Sequence, residues 1–272
     1  MITLQNLHFS YKKKEPLFRN LNLDILSGNI YGLLGKNGAG KTSLLKIISG
    51  LRKIDNGTCN VIGHNPFNRD KAFLEQIFFV PEEIYVSNCS IKDYLKRYSG
   101  FYPYFSNSNL QDYLLSFELD NTMNLQQISY GQRKKFVIAF AMAAGTKLVL
   151  FDEPTNGLDI PSKSTFRKLI ASAVTNEKTF IISTHQVRDL NMLIDNVILL
   201  DNGYIKLSNS IQQIAKKYKF VTISKEDTDN HIIHSEQHLE GFKAIIPNKS
   251  GIESAVDLEL LFNAVILNKI QS

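Results

Sequence analysis

The spacing of apolar positions changes repeatedly along the chain, and each change predicts an element. Ile2, Leu4, Leu7 and Phe9 alternate loosely with polar residues, and the alternation resumes at Phe18, Leu21, Leu23 and Ile25. A period of two predicts half-buried strands, the first of them at a sheet edge. Between them, Lys12-Lys13-Lys14-Glu15-Pro16 predicts a surface turn. Residues 29–34 are mostly apolar and predict a buried strand, followed by a helix from residue 43 that Gly50 stops. Asn56-Gly57 reads as a hairpin signal, and Gly63-His64-Asn65-Pro66 as a second turn. Residues 77–80 form a short buried strand that runs into Pro81-Glu82-Glu83.

From residue 90 to 145 the period lengthens to that of helices. Ser90 and Asp93 make a capping-box pattern ahead of Tyr94, Leu95 and Tyr98, and Gly100 and Pro103 end that helix. Leu110, Tyr113, Leu114 and Phe117 mark a second apolar face. A third helix opens at Ile128-Ser129-Tyr130-Gly131-Gln132, passes a basic cluster at Arg133-Lys134-Lys135, and continues through Phe136, Ile138, Phe140 and Ala143. Strands return at residues 148–151 and 179–184, separated by a helix over roughly 162–174 with Pro161 in its opening turn. A short helix follows at 186–194, then paired strands at 197–200 and 204–207 around an Asn202-Gly203 turn. The tail, 208–272, predicts a helix near 211–218, strands at 220–223 and 242–246, a polar loop at 225–230 and a final helix from Asp257. Strands alternating with helices indicate an α/β domain with a helical insertion and a small appendage.

The chain has 272 residues, enough for one large domain, and 43% hydrophobic residues, enough for a sizeable core. No apolar run reaches the ~18 residues of a membrane helix, and the start lacks a basic segment leading into an apolar one. Cys59 and Cys89 match no metal spacing and fit a reducing compartment. The formal charge of +5 suits nucleic acid, anionic lipid or nucleotide and selects none of them. His231 and His234 would face opposite sides of a strand, so they make a poor metal pair.

Chemistry concentrates in two places. Gly35-Lys36-Asn37-Gly38-Ala39-Gly40-Lys41-Thr42 satisfies the phosphate-loop pattern, and Ser43 opens the helix behind it. Glycines let the backbone aim successive N–H groups at phosphate oxygens. The helix adds the positive end of its dipole, Lys41 a point charge for the β- and γ-phosphates, and Thr42 a hydroxyl for Mg²⁺. The second place is the strand end Phe151-Asp152-Glu153, where α/β proteins put their ligands. Asp152 can hold Mg²⁺ through water, and Glu153 can polarise an attacking water. His185 ends the next strand, so both ends open on one crevice. Tyr11 either caps the core edge or offers a ring to a base. With a single phosphate loop, a protein that closes two nucleotide sites needs a second chain.

In their order along residues 2–207 these motifs resemble the ATP-binding cassette ATPases. Residues 35–42 resemble Walker A, 148–153 Walker B with the catalytic glutamate, 128–132 the signature, Gly157-Leu158-Asp159 the D-loop, His185 the switch histidine, and Tyr11 the adenine-stacking aromatic. The chain departs from the family where Ile128 and Tyr130 replace the leucine and first glycine of Leu-Ser-Gly-Gly-Gln, and where Glu82 replaces the lid glutamine. Ser129, Gly131 and Gln132 are kept, and Glu82 can still approach Mg²⁺ through water. Pro81-Glu82-Glu83 resembles a bacterial subgroup of exporter-type ATPases whose membrane partners are separate chains, and Phe101-Tyr102-Pro103 with the Ser-x-Gly signature resembles the acetoin-utilisation and antibiotic-responsive branch.

The resemblance implies a P-loop NTPase (RecA-like) α/β core with an antiparallel β-subdomain and an inserted α-helical subdomain at about 87–145. The ATPase domain covers 1–207 and a small C-terminal α/β extension covers 208–272. It implies ATP hydrolysis with Mg²⁺, a head-to-tail dimer (a homodimer by preference) in which Ser129, Gly131, Gln132 and Asp159 complete the partner's nucleotide site, and separate membrane permease subunits. The chain would sit on the inner face of the cell membrane, driving export without nucleic acid. The alternatives are a soluble cassette of a cofactor-assembly or regulatory complex, or a nucleic-acid- or ribosome-associated one. Glu83, Tyr85 and Tyr102 are the expected docking residues for the permease.

Overall fold

The computed structural model describes residues 1–12, 15–190, 192–224, 232–238, 241–249, 251 and 253–270. Strands β1 (Ile2–Lys12) and β2 (Glu15–Ile25) run antiparallel. Strand β3 (Ile30–Leu34) leads through the glycine loop into helix α1 (Lys41–Ile48). Strand β4 (Asn56–Val61) then returns to the free side of β1, pairing Ile2 with Val61 and Gln5 with Thr58. The order β2-β1-β4 therefore puts β1 at the centre of its sheet rather than at the edge. Nor does Asn56-Gly57 make a hairpin turn. Gly57 has φ of 92°, and a Cβ there would lie 2.3 Å from the Asn6 carbonyl, where the β1–β4 ladder shifts register. The dipeptide supplies a left-handed position to a bulge, which uses the same backbone freedom as the turn.

Helix α2 (Lys71–Leu74) and strand β5 (Ile77–Val80) precede the insertion, which holds α3 (Ile91–Tyr98), α4 (Asn107–Ser116) and α5 (Tyr130–Ala143). Serine side chains cap all three insertion helices: Ser90, Ser106 and Ser129. Strand β6 (Leu148–Asp152), helix α6 (Ile160–Ala173) and strands β7 (Thr179–Thr184), β8 (Asn196–Asp201) and β9 (Tyr204–Ser210) complete a six-stranded sheet of order β5-β6-β7-β3-β8-β9. All its neighbouring pairs are parallel except β8 with β9. Every residue of β3, β6 and β7 is buried, as expected of a parallel sheet covered on both faces. Leu33, Leu150 and Ile181 face α1 and the antiparallel sheet, while Leu34, Phe151 and Ile182 face the insertion and α6.

Tyr102 is half-buried rather than a free ring. It packs 5.3 Å from Phe78 and 6.1 Å from Phe140, and burial pushes its hydroxyl up to about 12. It still lines one wall of a cleft of about 860 Å³ with Phe79, Tyr94, Tyr98 and Phe101, between the sheet and the insertion. Tyr85 is 88% exposed and donates to Glu83 at 3.0 Å, outside that cleft.

The tail contains α7 (Ile211–Lys217), β10 (Tyr218–Ile223), β11 (His234–His238), β12 (Gly241–Pro247) and α8 (Leu258–Ile266), with sheet order β10-β12-β11. Strand β11 reads His-Ser-Glu-Gln-His and carries no apolar signal; its ladder to β12 makes it a strand. Ile245, Leu258, Leu261 and Val265 share one core with Val187, Leu190, Leu193 and Ile194 of the segment after His185. The predicted 186–194 helix is there a 3-10 turn, Val187–Leu190. His231 and the 225–230 loop lie outside the described residues.

Candidate active site

The C-terminal ends of β3, β6 and β7 lie side by side, and the candidate residues gather there. After β3 the chain turns so tightly that Gly40 adopts φ of 108°, against the Phe18 ring. Lys41 curls back over the loop and donates to the Gly35 carbonyl at 2.8 Å and to that of Lys36 at 3.3 Å. Its ammonium also stands 3.7 Å from Glu153 Oε1. Burial lowers its pKa below the usual lysine value, despite the neighbouring Glu153 and Asp152 carboxylates.

Parallel register sets Asp152 opposite Ser183, whose hydroxyl donates to Asp152 Oδ1 at 2.6 Å. Thr42 donates to Oδ2 at 2.7 Å, joining the phosphate-loop helix to β6. Glu153 follows at φ of 46°, its N–H shared between the Ser183 carbonyl and hydroxyl. Glu153 Oε1 meets His185 Nδ1 at 2.9 Å, whereas Oε2 is buried without a hydrogen-bond partner among the described residues. Tyr11, Asn37, Gly38, Gly40, Lys41, Thr42, Ser43, Glu82 and Glu153 line one cleft of about 510 Å³. Tyr11 sits at its rim, 57% exposed, with its hydroxyl 2.9 Å from that of Ser43. Gly35 contributes the carbonyl that holds Lys41, and Ala39 packs into the core below.

The signature-like residues do not line this cleft. Ser129 and Gln132 form a reciprocal capping box at the start of α5, at 3.2 and 3.0 Å. Gly131 abuts the Gly157 carbonyl, and Asp159 caps α6 through the Ser162 N–H while standing 3.6 Å from Lys135. Among the described residues, no three His, Cys, Asp or Glu side chains form a metal cluster.

Sequence reasoning missed three connections. Tyr130 donates its hydroxyl to the Glu82 carbonyl at 2.6 Å, so two of the three departures from the family pattern touch each other. The Asn156 amide donates to the Glu82 carboxylate at 3.1 Å. Lys134, read as part of a basic cluster, is fully buried; its ammonium donates to the carbonyls of Glu153 at 2.7 Å and Asn156 at 3.0 Å. Burial lowers its pKa to about 8. A signal was present: Val137, Ile138 and Ala141, at helical spacing from Lys134, are apolar and mark the buried stripe.

Residues 18–156 match the ABC transporter family. The chain is 29% identical over 224 residues to the ABC transporter ATP-binding protein NatA of Bacillus subtilis, covering 79% of this chain and 91% of that one. It is 32% identical over 209 residues to the lantibiotic transport ATP-binding protein SrtF of Streptococcus pyogenes, covering 76% and 90%. It is 26% identical to the bacitracin transport ATP-binding protein BcrA of Bacillus licheniformis, covering 81% and 74%. In fold it is similar to an ATP-binding subunit of an ABC transporter, with TM-score 0.72, 21% identity and coverage of 79% and 91%. It is also similar to an ATP-binding cassette dimer in a post-hydrolysis state with ADP and Pi, with TM-score 0.67, 23% identity and coverage of 77% and 98%. With a phosphate loop, an Asp-Glu strand end and a histidine meeting at one cleft, the chain belongs to the ABC transporter family as an ATP-binding, ATP-hydrolysing subunit.

Proposed function

We propose that Glu153 is the general base of ATP hydrolysis, with His185 holding its carboxylate. One observation carries this: Glu153 Oε1 is occupied by His185 and Lys41, while Oε2 is buried and keeps its lone pairs unused. A base needs a free acceptor within reach of the water it activates. The phosphate loop, residues 35–43, cradles the phosphates with its N–H groups and Lys41, and Tyr11 stacks on the adenine at the rim.

The donor set fits Mg²⁺, which binds few protein oxygens and keeps phosphate and water ligands. Thr42 and Asp152, already 2.7 Å apart, would hold it, with Glu82 reaching it through water. The ion would neutralise charge on the phosphates. Ser129, Gly131, Gln132 and Asp159 serve the nucleotide of a second subunit in a head-to-tail dimer, preferably a homodimer. Their place outside their own cleft supports this reading.

A separate membrane permease docks at the aromatic cleft beside the insertion and holds the chain at the inner membrane face. No helix among the described residues is long and apolar enough to cross a membrane. The transport named for the bacitracin and lantibiotic relatives supports export; placement in the acetoin-utilisation and antibiotic-responsive branch rests on Phe101-Tyr102-Pro103 and the Ser-x-Gly signature alone. We further divide the chain into an ATPase domain, 1–207, and an extension, 208–272.

The test is Glu153→Gln. Phosphate release should fall by roughly 10²-fold or more, the weight of a positioned base. ATP affinity should change little. Near-normal turnover would remove Glu153 from the role.

A further inference from the structure

We infer that Lys134 is a positioning residue for Glu153, tying the start of the signature helix to the main chain that carries the base; this rests on the reading of Glu153 above. A lysine side chain seldom loses all contact with water, because moving its charge out of solvent is costly unless that charge is well partnered. Lys134 nevertheless has no exposed surface. Its ammonium spans the turn after β6, donating to the carbonyl of Glu153 at 2.7 Å and to that of Asn156 at 3.0 Å. The same turn is closed by the Asn156 N–H donating to the Glu153 carbonyl at 3.3 Å. Glu153 itself is held in a left-handed conformation, φ 46°, which a glutamate adopts only when its surroundings enforce it. Lys134 is one of the groups that enforce it.

The packing around this tie is close. A Cβ on Gly131 would come within 3.0 Å of the Gly157 carbonyl, and one on Gly157 within 3.2 Å of the Tyr130 ring. That ring also lies 5.7 Å from the Lys134 ammonium. Tyr130 then reaches the Glu82 carbonyl at 2.6 Å, and Asn156 bonds the Glu82 side chain at 3.1 Å. The first turns of α5, the Glu153–Gly157 segment and the lid residue Glu82 therefore form one connected body with Lys134 at its centre. A displacement of the signature helix moves the main chain of Glu153 with it. Lys134 touches neither the cleft nor the reacting atoms, so its effect passes entirely through Glu153.

The experiment compares Lys134→Met, Lys134→Gln and Glu153→Gln in the full chain, measuring kcat for Mg-ATP hydrolysis and, separately, the Kd of ATP. Methionine keeps most of the volume and removes both hydrogen bonds and the charge. A misplaced catalytic group can cost up to about 10²-fold, and Lys134→Met is expected to lose at least about 10-fold in kcat while ATP Kd stays within about threefold. Lys134→Gln, which keeps a donor, should recover part of the loss. Retention of kcat within about twofold in Lys134→Met would overturn the inference, as would a Kd that weakens in step with kcat, the mark of a merely structural role. If the methionine variant does not fold, Lys134→Gln decides by the same split between kcat and Kd. Glu153→Gln separates the two ideas: its normal turnover would end the general-base reading, and this inference with it. Loss of turnover in Glu153→Gln with full activity in Lys134→Met would end the positioning role alone.

Discussion

Lys41 and Lys134 are both buried lysines beside Glu153, yet only one was legible in the sequence. Lys41 stands in an eight-residue pattern whose glycines declare a phosphate ligand. Lys134 stands between two other cations, and a charge run ordinarily marks a solvated face. The apolar stripe of Val137, Ile138 and Ala141 marks its face as buried, but which carbonyls lie across from it is a fact of tertiary structure. Glu82 and Tyr130 were visible as departures from a family pattern, but not as partners, because 48 residues separate them. The two lysines also differ in what their loss should do. Lys41 lines the cleft, so Lys41→Ala removes a charge from bound phosphate. A charge-assisted contact is worth ~1.5–3 kcal/mol, or roughly 10- to 150-fold in Kd for Mg-ATP measured at equilibrium. An unchanged Kd would refute the phosphate-loop assignment.

The elements follow the same division between local and distant causes. Continuous apolar runs gave β3, β6 and β7 because a parallel sheet is buried on both faces. Serines ahead of apolar faces gave the starts of α3 and α5. Strand β11 and the central place of β1 were not legible, since both depend on a ladder formed with a remote partner. Strand β7 carries a further consequence at its entrance. Lys178 donates to the Met142 carbonyl at 3.1 Å, lies 5.5 Å from the Phe180 ring centroid, and is pushed by burial from 10.5 down to about 8. Because the folded value lies below the unfolded one, the stability linked to this group is full above 10.5 and is lost as pH falls through about 8. Urea midpoints should therefore rise from pH 8 to 10, and less steeply in Lys178→Met. Lys134 adds a similar slope; Cys59, raised by burial from 9.0 to about 12, opposes it above pH 9, and Tyr94 and Tyr102, raised to about 12, oppose it above the ordinary tyrosine range, so the variant's difference from wild type isolates Lys178. Equal slopes in variant and wild type would contradict this account of Lys178.

At the scale of the whole molecule the chain presents a phosphate-loop cleft and, separately, an aromatic cleft beside the insertion. The proposed permease should bind the second and leave the first working. Phe101 is 66% exposed at that cleft, and Phe101→Asp should abolish recovery of a membrane protein from detergent extracts while basal ATPase persists. Recovery that is indifferent to this change would place the docking surface elsewhere. Residues 208–272 gave little in sequence because they carry no motif, and the packing of α8 beside the segment after His185 emerges only in three dimensions. That packing has a consequence for how the molecule comes into being. A polypeptide emerges from the ribosome in order, at ~5–20 residues per second, and its early segments begin folding before later ones exist. The phosphate loop and the Asp152–Glu153 strand end are made well before Ile245, Leu258, Leu261 and Val265. The segment after His185 already rests on β3, with Leu190 and Ile194 against Gly32, but it meets α8 only once that helix has been made. A nascent chain can thus own every residue that lines the phosphate-loop cleft while the histidine's segment still lacks its contacts with α8, and the arrival of that helix sets the moment at which this part of the enzyme is complete.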